Sequence, residues 1–185
     1  MNNELALNNL VEAKKILNEL GIKFWLEAGT CLGAIRDKGF ISYDKDMDIG
    51  VYAEDLNSID AFLNLTKHFM LGGFRVGHTF GTIENGFEVS FYRNEIKLDI
   101  FWFYKKDNFR WHSAWMGRGC NLSDQLFYKY RACLVEELRI VDFLGHKMPV
   151  PKNYQEYLTA KYGDWHARVK DWDWAKSPLN RVEYV

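Results

Sequence analysis

The sequence predicts an α+β fold, a mixed β-sheet flanked by helices. Three observations carry that expectation. Leu7, Leu10, Val11, Leu17 and Leu20 recur with a helical period ahead of Gly21. Residues 74–104 break into several strand-like runs, the most strand-like being Ile96-Lys97-Leu98-Asp99-Ile100-Phe101-Trp102-Phe103. Helical patterns return over about 56–70 and 154–161, each closed by glycine. In order, the first helix leads into a short apolar strand over 22–28. Gly29-Thr30 then opens a short helix through Arg36, which Lys38-Gly39 ends. An acidic strand follows, and next a helix on which Ile59, Phe62, Leu63 and Phe69 recur before Gly72-Gly73. Asn85-Gly86 signals a hairpin, and Arg93-Asn94-Glu95 a second turn. Residues 111–124 carry no readable period. A strand over 138–143 turns at Gly145-His146, and Pro149-Val150-Pro151 precedes the last helix. Residues beyond Trp165 read as an aromatic tail. With no repeat, linker or shift of composition, a single domain is expected over residues 1–185.

At 185 residues and 48% hydrophobic, the chain can bury one substantial core. Its 24 basic and 25 acidic residues nearly cancel, which argues against general binding of nucleic acid or anionic membrane. No run approaches the roughly 20 apolar residues of a membrane span, and Met1-Asn2-Asn3-Glu4 has no signal-peptide character. Cys31, Cys120 and Cys133 are odd in number and widely spaced, so the expected location is a reducing cytoplasm. Trp111, Trp165, Trp172 and Trp174 lie in polar contexts, where they either stack on a sugar or base or cover a packed surface.

The chemistry concentrates in Tyr43-Asp44-Lys45-Asp46-Met47-Asp48-Ile49-Gly50. In a strand, period two puts Asp44, Asp46 and Asp48 on one face. Three like charges there require a cation or a shared proton, or else a solvated edge. Asp99 is an isolated acid in an apolar strand, and a buried carboxylate there must be paired, hydrogen-bonded or metal-bound. Joined to the acidic strand it completes an oxygen-rich cluster suited to Mg²⁺, Mn²⁺ or Ca²⁺, whereas pairing with Lys97 is the simpler alternative. Gly29-Thr30 marks a strand-to-helix junction whose backbone N–H groups can receive phosphate, with Arg36 and Lys38 close behind. The five histidines have no zinc-ligand spacing. His78, beside Gly77 and Gly81, is the best histidine candidate for substrate contact, while Trp111, His112 and Arg118 are candidates for a loop over the site.

The run from Phe24 to Gly50, with Glu27-Ala28-Gly29-Thr30-Cys31-Leu32-Gly33-Ala34-Ile35-Arg36 and Asp44-Lys45-Asp46-Met47-Asp48, resembles the core signature of the LicD/fukutin family. Pro149 to Trp165, ending Tyr162-Gly163-Asp164-Trp165, resembles that family's C-terminal segment. The resemblance implies a nucleotidyltransferase-like fold. It matches Gly29-Thr30 to the phosphate-binding pair, Asp46 and Asp48 to the metal-binding acids, and Asp99 to the third acid; Asp44 becomes an orienting or phosphate-network residue. It implies Mg²⁺, with Mn²⁺ as a substitute, and transfer of phosphocholine or an alditol phosphate from a CDP-linked donor to a carbohydrate hydroxyl. Nucleotidyl transfer to a small molecule or protein and an inactive interaction domain are the alternatives. Asp37, Ser42, Tyr43 and Lys45 depart from the commoner family pattern, none of them at an assigned ligand.

Overall fold

The first helix is started by Asn2, whose side-chain oxygen accepts the backbone N–H groups of Glu4 and Leu5 at 3.1 and 3.2 Å. The structure is a computed structural model, and it describes residues 1–116, 124–169 and 171–185. Helix α1 (Asn3–Glu19) buries Ala6, Leu10, Ala13, Ile16 and Leu17, one apolar stripe, against the sheet. Strand β1 (Phe24–Leu26) is short and passes directly into α2 (Ala28–Leu32), which continues as a π-helical turn over Gly33–Asp37. The predicted helix over this stretch therefore starts one residue early and widens in its second half. Strand β2 (Asp46–Tyr52) follows, then a 3₁₀ turn (Ala53–Leu56) and α3 (Ile59–Leu71), capped by the Ser58 side chain.

Strands β3 (Arg75–Thr82), β4 (Asn85–Arg93) and β5 (Ile96–Lys106) form an antiparallel meander. The turn between β4 and β5 is at Asn94-Glu95, both with positive φ, within the predicted turn. The other hairpin is shifted from its expected place. Its turn is Ile83-Glu84, and Asn85-Gly86 opens β4 as a bulge in which both residues face Thr82. Gly86 is needed there because its φ is +67° and a Cβ would strike Gln125 and Ser113.

Strands β6 (Phe109–Trp115) and β7 (Gln125–Arg131) extend the sheet beyond the end of β5, and a two-residue strand, Arg181–Val182, pairs on β7. Between them in the chain, β8 (Leu138–Phe143) and β9 (His146–Pro151) form a separate hairpin, followed by α4 (Tyr154–Tyr162). The final strand is thus β10 (Arg181–Val182). The main sheet is mixed because β2 and β5 run parallel while its other pairs are antiparallel.

Period two divides this sheet into two faces. Met47, Ile49 and Val51 of β2, Leu98, Ile100 and Trp102 of β5, and Val89 and Phe91 of β4 are fully buried. Helix α3 and the 3₁₀ turn before it cover this side: Phe69 stacks on Phe91 at 4.2 Å, and the Trp102 indole N–H donates to the Leu56 carbonyl at 3.1 Å. The polar residues of the same strands are forced onto the other face. Among the described residues, no helix is long and apolar enough to cross a membrane.

Candidate active site

The opposite face carries the acids. Parallel register pairs Asp46 with Lys97 and Asp48 with Asp99, and antiparallel register sets Ser90 beside Asp99. Lys97 Nζ lies 2.8 Å from Asp46 Oδ2 and 2.7 Å from Asp99 Oδ2. Ser90 Oγ donates to Asp99 Oδ1 at 2.7 Å. Asp99 is thus paired with Lys97, the simpler of the two expectations, and it lies on the same sheet face as Asp46 and Asp48. Burial alone would lower the Lys97 pKa, but Asp99 and Asp46 outweigh it and hold the ammonium charged. Burial, followed by Asp46, Asp44 and Asp99, pushes the Asp48 carboxyl well above its ordinary range. Asp44 lies before β2, in the turn closed by its N–H to the Ile41 carbonyl at 3.0 Å, so it is not part of the alternating strand. Burial and then Asp46 push it up to about 7.

The glycine turn is set against these acids by two bonds. Glu27 N–H donates to the Asp48 carbonyl at 3.0 Å, and Asp48 N–H donates to Thr30 Oγ1 at 2.9 Å. Thr30 is 2% exposed, and its hydroxyl joins α2 to β2 rather than facing the cavity. A Cβ on Gly29 would collide with Asp44 Oδ2, so glycine lets that carboxylate lie over the turn. Ala28, between Glu27 and Gly29, has φ +43°, a left-handed conformation that disfavours a side chain.

A buried network holds that conformation. The Glu27 carboxylate is fully buried and accepts from Trp25 Nε1 at 3.0 Å, from the Tyr157 hydroxyl and from Lys161 Nζ at 3.3 Å. Burial would raise its pKa, yet the Lys161 ammonium and the hydrogen bonds from Tyr157 and Trp25 keep it below the ordinary carboxylate value. His112 is driven down to about 3 by burial and Lys161, so its imidazole is neutral. The C-terminal segment is tied on separately. Arg36 donates to Asp37 at 2.9 and 3.1 Å and to the Trp165 carbonyl at 3.4 Å, and Arg168 reaches Asp37 at 2.9 Å.

These elements enclose a cavity of about 730 Å³. Among the residues predicted from sequence, Gly29, Arg36, Asp44, Asp46, Asp48 and Asp99 line it. Thr30 lies behind the wall, while Lys38 and His78 are exposed outside the lining. Trp165, Trp172 and Trp174 line the cavity, whereas Trp111 stacks on Tyr104 at 4.7 Å away from it. His112 is on β6 rather than a covering loop, and Arg118 and Cys120 lie outside the described residues. Sequence reasoning missed Glu88, Lys161 and Trp115 as lining residues. Glu88 alone had a readable signal, because it alternates with Ser90 on the strand beside Asp99.

An acidic sheet face meeting a glycine turn across one cavity defines a nucleotidyltransferase-fold domain. Residues 21–153 match the family model "LicD/FKTN/FKRP, nucleotidyltransferase domain". Ribitol-5-phosphate transferase FKTN of Homo sapiens is 36% identical over 170 residues, covering 91% of this chain and 34% of that protein; its Macaca fascicularis counterpart is 37% identical over the same shares. Ribitol 5-phosphate transferase FKRP of Homo sapiens is 26% identical over 154 residues, 80% of this chain and 29% of that one. Among solved structures, ANT(2″)-Ia in complex with adenylyl-2″-tobramycin aligns with 53% of this chain and 49% of its own, at a TM-score of 0.38 and 16% identity. The chain belongs to the LicD/fukutin family of the nucleotidyltransferase-fold superfamily. It spans about a third of the length of the curated FKTN relatives.

As the side chains stand, no three His, Cys, Asp or Glu residues among those described surround one point closely enough to ligate an ion. Lys97 Nζ instead supplies the positive charge between Asp46 and Asp99. Asp46, Asp48 and Asp99 are hard oxygen donors on one face, the donor chemistry that a divalent cation of the Mg²⁺ class prefers.

Proposed function

We propose that this domain transfers a phosphorylated alcohol from a CDP-activated donor to a sugar hydroxyl, using Mg²⁺ or Mn²⁺. The observation that carries the reading is the meeting of Asp46, Asp48 and Asp99 with the Gly29 turn in one cavity. An alditol phosphate is the preferred head group over phosphocholine, because the FKTN relatives are named ribitol-5-phosphate transferases. Asp46, Asp48 and Asp99 would hold the metal, which when bound supplies charge neutralisation for a diphosphate and polarises the phosphoryl group.

The chain's own groups do the rest. Asp44 orients the entrance above Gly29, where its carboxyl near pH 7 exchanges a proton readily. Lys161 and Arg36 bring positive charge to the wall, although each is partly neutralised by its own partner, Glu27 or Asp37. Their field favours a phosphate between them and the acidic face. Trp165, Trp172 and Trp174 provide ring faces suited to a sugar or base and limit access of water.

The test is a panel of CDP-ribitol, CDP-glycerol and CDP-choline incubated with Mg²⁺ and a set of methyl glycosides, read by mass spectrometry. Release of CMP with a glycoside gaining an alditol phosphate supports the reading. A nucleotidylated product would select nucleotidyl transfer instead, and preference for CDP-choline would reverse the head-group choice.

A further inference from the structure

The proposed transfer needs a seat for the acceptor alcohol, and the cavity wall beyond the acids has one. Glu88 of β4 is 7% exposed and lines the cavity, and its Oε2 has no hydrogen-bond partner among the described residues. His112, 2% exposed, turns its Nε2 toward the buried Glu27 carboxylate at 4.0 Å and presents its ring to this wall. Buried polar atoms are ordinarily satisfied, so the Glu88 oxygen on the cavity wall points to a ligand's polar group. Its surroundings suit a polyhydroxylated molecule. Glu88 is the cross-strand partner of Phe101, whose ring is 5.1 Å from that of His112, and Trp115 lines the same wall.

The position is also correct relative to the acids. Glu88 and Ser90 alternate onto one face of β4, and Ser90 Oγ holds Asp99. The free carboxyl oxygen therefore stands one strand repeat from the residue that anchors the acidic cluster. Asp99 is less suited to take a proton, since Lys97 and Ser90 already occupy its two oxygens.

We propose that Glu88 receives the acceptor: its Oε2 accepts the acceptor's O–H and takes that proton during transfer. This rests on the transferase reading above. The acceptor oxygen forms a bond to the phosphorus that carries the alditol. The bond from that phosphorus to the bridging oxygen breaks, its electron pair leaves with CMP, and the acceptor's proton passes to Glu88. Glu88 thereby acts as the general base.

The experiment compares wild type with Glu88→Gln, a substitution of equal shape. CDP-ribitol binding is measured calorimetrically with Ca²⁺ in place of Mg²⁺, and transfer to methyl glycosides is followed by CMP release from pH 5.5 to 9. Glu88→Gln should bind CDP-ribitol within twofold of wild type and lose roughly a hundredfold in kcat for transfer. The rising limb of the wild-type pH profile should flatten in the variant. A variant that keeps wild-type transfer and the same limb overturns the assignment alone. Loss of CDP-ribitol binding in the folded variant also overturns it, by moving Glu88 to the donor's side. A wild type that neither binds nor turns over any CDP-linked donor overturns the transferase reading and the assignment with it.

Discussion

Asp48 and Asp99 are direct register partners on two parallel strands, and both face the cavity. Their neighbours Met47, Ile49, Leu98 and Ile100 are completely buried on the other face. A slip of one residue in either strand would drive acids into the core and expose those side chains, so the apolar alternation fixes the acids in place. The reach of each carboxylate is then set locally, by Lys97 for Asp46 and Asp99 and by the Thr30 bond to the backbone of Asp48.

Removing one acid should separate activity from stability. Asp46→Asn and Asp48→Asn are each expected to lower Mg²⁺-dependent CMP release roughly a hundredfold, on the order of 3 kcal/mol in the barrier. The melting temperature of Asp48→Asn should equal or exceed that of wild type, because Asp44, Asp46 and Asp99 repel the charge it replaces. Turnover assays beside thermal melts decide this, and full activity in either folded variant would remove the acidic strand from the mechanism.

Gly29→Val tests the turn. Its Cβ would displace the Asp44 carboxylate while Asp48 Oδ2, at 3.8 Å, is in ordinary contact. Binding of CDP-ribitol should weaken about tenfold, a change of 1.4 kcal/mol, with a smaller effect on the melting temperature. Unchanged donor affinity in the folded variant would show that the turn does not meet the donor.

The Asp44 carboxyl gives a pH signature. Its ordinary value of 3.8 is raised to about 7 by folding, so the unfolded chain loses this proton first. The associated stability is complete below about pH 4 and is lost as pH rises through 7. Asp44→Asn should keep that stability, and its melting temperature should gain on wild type between pH 5 and 8. His112 works in the opposite direction in both proteins, since its value falls from 6.5 to about 3 and its contribution is lost on acidification. Equal pH dependence of the two melting curves would contradict the expected Asp44 shift.

Glu27→Gln probes the network beneath the turn. It leaves the Lys161 ammonium, 7% exposed, without its carboxylate partner. Breaking a buried ion pair in this way costs about 3–5 kcal/mol, measurable by urea unfolding. A loss below 1 kcal/mol would mean that Tyr157 and Trp25 alone hold the turn.

Much of this was legible because the strands obey period two. Asp46, Asp48 and Asp99 could be assigned to one face from alternation and the family signature, and they do share it. Asp44 has the same spacing but precedes β2, because the chain turns at Ile41–Asp44 before the strand begins. The Asn85-Gly86 signal was real as a need for positive φ, but it is met by a bulge rather than by the turn itself. Strand β6 escaped because Arg110–Trp115 is buried on both faces and gives no alternating pattern. Lys161 escaped for another reason: its burial depends on Glu27, a residue from the far end of the chain, which no local period can report.

The cavity's two walls come from different stretches of sequence. The acids and the glycine turn fall within residues 21–153, which match the family model, whereas Lys161, Trp165, Trp172 and Trp174 come after it. The later stretch is fastened through Arg36, Asp37 and Tyr128, the last donating to the Trp174 carbonyl at 3.0 Å. Lys161 locks the two stretches together through Glu27, so a change confined to the tryptophans beyond it would alter which molecules the cavity admits and leave the acids on the floor where they are.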